Sequence, residues 1–233
     1  MIRIIILLSP VFVSFFWAMT LAGDKKRQSI PRAYLAKFML FPMVCFGIHF
    51  LYFAPLPYIY PYFDVPLQII GNLIFPVFYI YFRLLTVDKK FSLRAHGIYL
   101  AIPSIIPLLS AVAVYLTPWH EFTTWLYDKT AFSDSPYIHA LIVLRKLLNM
   151  QFLIIVVATY NGSYLLLKKY GAKAEQYYSD IKDGKYNNAM MLSLIIALSC
   201  VASFIALAVG RYLIMPKDAM IYPLWTIFSV SLY

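Results

Sequence analysis

Acidic residues are scarce in this chain, with ten Asp and Glu against twenty Lys and Arg in 233 residues. The hydropathy pattern assigns all ten (Asp24, Asp64, Asp88, Glu121, Asp128, Asp134, Glu175, Asp180, Asp183 and Asp218) to connections between apolar stretches. A proton-coupled transporter or pump carries its proton on a buried carboxylate, and an intramembrane aspartyl protease needs two, so neither class is expected. Cysteine is nearly absent. Cys45 and Cys200 both sit in apolar runs, which excludes a disulfide framework or a thiolate metal cluster. The four histidines, His49, His96, His120 and His139, are dispersed and form no HExxH pattern, so no metal site is expected. Asn161-Gly162-Ser163 matches a glycosylation acceptor but lies inside an apolar stretch, and it lacks the flanking pattern of a serine nucleophile. No catalytic residues and no cofactor emerge, and the chain does not read as an enzyme.

Apolar side chains are abundant. The chain is 62% hydrophobic and 13% charged, with a mean hydropathy of +0.74. A soluble domain is roughly half apolar and about a quarter charged, so this composition belongs in a lipid bilayer. Twenty Tyr and eighteen Phe fit broad membrane–water interfaces. Crossing the hydrocarbon core takes about 20 apolar residues. By that measure the sequence predicts an all-α, polytopic transmembrane bundle of seven helices, at about 4–22, 33–53, 67–85, 98–116, 138–167, 189–213 and 221–233. The last stretch is too short to span, so the helix is expected to continue beyond Tyr233.

Charge placement predicts the orientation. Lys and Arg crowd the connections after the first, third and fifth stretches, and only Arg3, Lys129, Arg211 and Lys217 fall on the other side. The positive-inside rule then puts the N-terminus outside and the C-terminus in the cytoplasm. The same rule argues against a cleaved signal peptide, because cleavage after Ala22-Gly23 would leave Lys25-Lys26-Arg27 outside. The basic balance of +10 is thus explained by topology and anionic lipid, not by nucleic-acid binding within this chain. Residues 54–66, with four prolines and four aromatics, read as a stiff external lid, and residues 117–136 as a second external loop. Residues 168–187 read as an internal extension of the fifth helix.

Polar residues inside the stretches gather toward the outer half. Gln68/Asn72 and Arg145/Asn149 are spaced i, i+4, so each pair shares a helix face, and His49 and Arg211 approach from neighbouring stretches. A guanidinium at the depth of Arg145 is costly without a partner, and the pattern offers no acid within the spans to supply one. These six residues are the candidate ligand site, an outward pocket for a small anion with Arg145 as main contact. The competing reading has Arg145 and Lys146 reaching the headgroups while the amides link helices. Ala202, Ala206 and Gly210 form an i, i+4, i+8 row that lets helices approach closely, within the chain or in a homodimer.

Two segments carry a family resemblance. Residues 76–86, PVFYIYFRLLT, and Tyr177-Tyr-Ser-Asp180 resemble the third helix and the last long internal loop of bacterial membrane-bound regulators of the AraC type. The resemblance runs over the whole chain. It implies a membrane sensor or anchor module preceding a cytoplasmic helix-turn-helix domain, with nucleic acid as partner only through that domain, which is not in this chain. The sensor region of a histidine kinase and a small-solute transporter or channel are the alternatives.

Overall fold

The structure is a computed structural model that describes residues 2–23, 29–53, 58–132 and 134–177. The described residues form seven helices: α1 Ile2–Gly23, α2 Ile30–Phe38, α3 Leu40–Phe53, α4 Tyr60–Thr86, α5 Leu93–Leu116, α6 Trp119–Tyr127 and α7 Pro136–Tyr177. Among the described residues, four apolar segments are long enough to cross a membrane: Ile30–Tyr52 (α2 with α3), Tyr60–Thr86, Leu93–Leu116 and Pro136–Lys169. They mark the chain as membrane-associated. The first expected span is a helix, but its apolar part, Leu8–Gly23, is shorter. The expected stretches 189–213 and 221–233, with Arg211, Ala202, Ala206 and Gly210, lie outside the described residues.

Local chemistry accounts for the helix ends. Ser29 caps α2 by accepting the Arg32 N–H at 3.4 Å, and Pro31 occupies the first turn, where its missing N–H costs nothing. The expected single helix over 33–53 is interrupted at Met39. Pro42 supplies no N–H to the Phe38 carbonyl four residues earlier, so the hydrogen-bond ladder loses a rung there.

Residues 60–66 differ from the expected lid. Pro61 sits in the first turn of α4, a favoured place for proline, and Pro66 is carried inside the helix. The helix therefore begins at Tyr60 and takes Asp64 with it. Residues 117–136 are likewise not a simple loop, since they contain α6, with Glu121 in its first turn. Glu175 falls within α7, which extends past the expected boundary at 167.

α4 lies at the centre of the packing and meets α2, α3, α5 and α7, while α1 packs on α2 and α3. Half of its most apolar stretch is buried, against 17% of that in α5, so α5 lies at the periphery. Ile98, Ile102, Ile105, Leu109 and Val112 give α5 an exposed apolar stripe at helical spacing, as a lipid-facing helix requires. Three buried clusters run along α4. Phe38, Val77, Phe78, Tyr81, Phe82, Leu85 and Leu167 fill the end near α2. Phe75, Ile155 and Val156 join α4 to α7 at mid-height. Ile48, Tyr60, Phe122, Trp125, Leu126, Ile138 and Leu141 close the end near α6.

Candidate functional site: a buried ion pair between two helices

Four polar side chains, Tyr60, Asp64, Gln68 and Asn72, recur every four residues along α4 and so share one face. All four are buried, Asp64 to 1% exposure. A carboxylate in such surroundings must be paired and hydrogen-bonded, and Asp64 is both. The Tyr60 hydroxyl donates to its Oδ1 at 3.0 Å, and Gln68 Nε2 donates to Oδ2 at 2.9 Å. Arg145 Nη2, from α7, donates to the same Oδ2 and forms an ion pair.

This overturns two expectations together. Asp64 is not in a connection but within a helix long and apolar enough to cross a membrane, and Arg145 does have an acid to pair with. Proline-rich sequence concealed the carboxylate, because prolines at the start of a helix and prolines in a loop look alike without geometry.

The guanidinium keeps a route to other partners. Its side chain retains 18% exposure, and its remaining N–H groups make no hydrogen bond among the described residues. Its central carbon lies 6.0 Å from the centre of the Trp125 ring, and the Lys129 ammonium sits 3.9 Å over that ring. Two buried polar atoms beside the pair, Gln68 Oε1 and Trp125 Nε1, have no hydrogen-bond partner among the described residues. Tyr52 adds a wall, edge-on to Tyr60 at 4.7 Å and stacked on Tyr127 at 6.3 Å.

A second polar link ties α4, α5 and α7 together. Pro107 has no N–H for the Pro103 carbonyl, and Gln151 Nε2 donates to that carbonyl at 2.7 Å. The same nitrogen lies 3.5 Å from Asn72 Oδ1, and Asn72 Nδ2 donates to the Gln68 carbonyl at 3.0 Å. Gln151 was not among the sequence candidates.

The structure gathers some of those candidates and separates others. Arg145, Gln68 and Asn72 belong to one connected network. Asn149 is exposed, one turn from Arg145. His49 is occupied within α3, its Nδ1 lying 2.8 Å from the Cys45 carbonyl oxygen. Among the described residues, no three His, Cys, Asp or Glu side chains are grouped so as to hold a metal ion.

At the opposite end of α4, Arg83, in the segment that carries the family resemblance, closes the connection to α5. It donates to Asp88 through Nε at 2.7 Å and Nη2 at 3.3 Å, and to the Tyr99 hydroxyl at 3.1 Å. His96 Nε2 lies 3.0 Å from the same carboxylate, and its ring stacks on Phe91 at 5.3 Å. The Arg83 hydrogen bonds above all, with help from His96, hold the Asp88 carboxyl below the usual carboxylate range, against the opposing effect of partial burial.

No family model matches the chain, and no curated protein or solved structure is similar to it.

Proposed function

We propose that the chain is the membrane-embedded sensor or anchor module of a bacterial one-component transcription regulator, relaying a signal from outside, or from the membrane, to a cytoplasmic helix-turn-helix domain. The observation that carries this reading is α7. One helix of 42 residues, about 63 Å at 1.5 Å per residue, bears the partner of Asp64 near one end and continues past Lys168 and Lys169 to Tyr177 at the other. A rod of that length links events at a buried charge pair to the far membrane surface. The steep Lys and Arg bias supports a multi-pass inner-membrane topology of seven helices with the basic connections inside. The segments 76–86 and 177–180 support an output of the AraC type by resemblance alone.

In this reading a small anionic ligand engages the free N–H groups of Arg145 and competes with Asp64, loosening α4 from α7. Asp64→Asn and Arg145→Gln should then shift the same transcripts in the same direction when introduced into the full-length chromosomal gene, as measured by RNA sequencing. Unchanged transcript levels in both variants would sink the regulator reading.

One observation favours a second reading. Asp64 is a buried carboxylate within a helix long and apolar enough to span, the feature whose expected absence weighed against a small-solute transporter or channel. Loss of solute flux in Asp64→Asn proteoliposomes, with transcription unaffected, would favour transport. A histidine-kinase output would keep the sensor role and replace the DNA-binding domain.

A further inference from the structure

The turn joining α4 to α5, taken with the start of α5, carries one acid, Asp88, and three Lys or Arg side chains: Lys89 and Lys90 in the connection and Arg94 at the second position of α5. The acid is fully engaged, with Arg83 gripping both of its oxygens and His96 reaching one of them. Lys89, Lys90 and Arg94 are exposed and make no ion pair among the described residues. The clamp that shapes the turn thus removes its one counter-charge and leaves three cations uncompensated. Beside them stands Leu93, 71% exposed.

Location decides what such a surface meets. α4 and α5 are each long and apolar enough to cross a bilayer, so the short connection between them lies at a membrane surface whichever way the chain is inserted. Clustered cations beside an exposed apolar side chain match the two parts of an anionic phospholipid, with the phosphate meeting the bases and the acyl chains meeting the leucine. We propose that this turn is a binding site for an anionic phospholipid, with Lys89, Lys90 and Arg94 holding the headgroup phosphate and Leu93 entering the acyl layer. Arg83 and His96 act as positioning residues that withhold Asp88 from the bases. The inference needs only that α4 and α5 span the membrane and is independent of the sensor reading.

Native mass spectrometry of the full chain, offered equal amounts of phosphatidylglycerol and phosphatidylcholine, tests it. The unmodified protein should retain the anionic lipid about tenfold over the zwitterionic one, given the attraction each base contributes near a charged headgroup. The triple variant Lys89→Gln/Lys90→Gln/Arg94→Gln should lose that preference, whereas Lys129→Gln, at the other end of the bundle, should keep it. An undiminished preference in the triple variant overturns the proposal. Because that variant could misfold, a photoactivatable phosphatidylglycerol on the unmodified chain gives a second test. Crosslinks within residues 87–99 support the site, and crosslinks confined to other basic segments overturn it. Displacement of the lipid by millimolar glycerol phosphate alone would identify a soluble-phosphate site and also overturn it.

Discussion

The two charge clusters on α4 differ in what they join. At the α6 end, Asp64 reaches Arg145 across 81 residues of sequence, and the carboxylate is almost wholly buried. At the other end, Arg83 meets Asp88 five residues on, and both side chains keep 20–25% exposure. The first contact fixes how two distant helices stand against each other. The second shapes a single turn. A buried pair formed across the fold is costly to break because each charge depends on the other, whereas a local pair at the boundary has water and headgroups as substitutes.

The sharpest way to break this contrast is to remove one charge at the α6 end. Asp64→Leu or Arg145→Leu alone should cost about 3–5 kcal/mol, since the remaining charge stays buried without its partner. Asp64→Leu/Arg145→Leu together should recover most of that loss, read as thermal unfolding in detergent. A double variant as unstable as the singles would mean that the tyrosine and glutamine around the pair, and not the pair itself, hold α4 to α7.

A smaller effect is expected midway. A methyl group added at Gly162 would come within 2.8 Å of Tyr79 Cε2, and that ring already packs edge-on against Tyr99 at 5.3 Å. Gly162→Ala should therefore destabilise by about 1–3 kcal/mol through overpacking, and Tyr79→Ala in the same chain should relieve part of it. Gln151→Leu should cost about 1 kcal/mol, typical of a hydrogen bond between membrane helices, with Pro103 and Asn72 left short of a donor.

The last test uses pH and addresses the local cluster. The groups facing the Asp88 carboxylate are Arg83 and His96, with Tyr99 against Arg83 and Lys89, Lys90 and Arg94 nearby. Its folded pKa lies below the ordinary value, so its contribution is complete above the unfolded pKa of about 3.9 and is lost as pH falls through the folded value. The stability difference between the unmodified chain and Asp88→Asn should be constant from neutral pH down to about 4 and shrink below it. A difference that declines already between pH 7 and 5 would point to a group other than Asp88.

Much of the helical architecture could be read from hydropathy, because the core of a bilayer demands long apolar runs. Where proline intervened, the outcome differed from one site to the next. At Pro42 the consequence is small, a one-residue break at Met39 within a segment that still runs from Ile30 to Tyr52, whereas Pro61 and Pro66 are absorbed into a helix that looked like a loop. The site was half legible. The i, i+4 spacing that singled out Gln68 and Asn72 continues one turn back to Asp64 and another to Tyr60, and following it across the prolines would have found the acid. Gln151 carried no such signal, because its role depends on a carbonyl freed by Pro107 on another helix.

The length of α7 has a mechanical consequence. Its apolar segment Pro136–Lys169 has 34 residues, about 51 Å of helix against a hydrocarbon core of about 30 Å. The surplus is taken up by tilt, by protrusion or by thickening of the lipid around it, each at a modest cost per ångström. Because Asp64 tethers α7 near one end, tilt turns about that tether and displaces the far end most. A thinner or thicker bilayer would thus reposition the far end of α7 without touching the ion pair, so the composition of the lipid itself becomes a mechanical input to the protein.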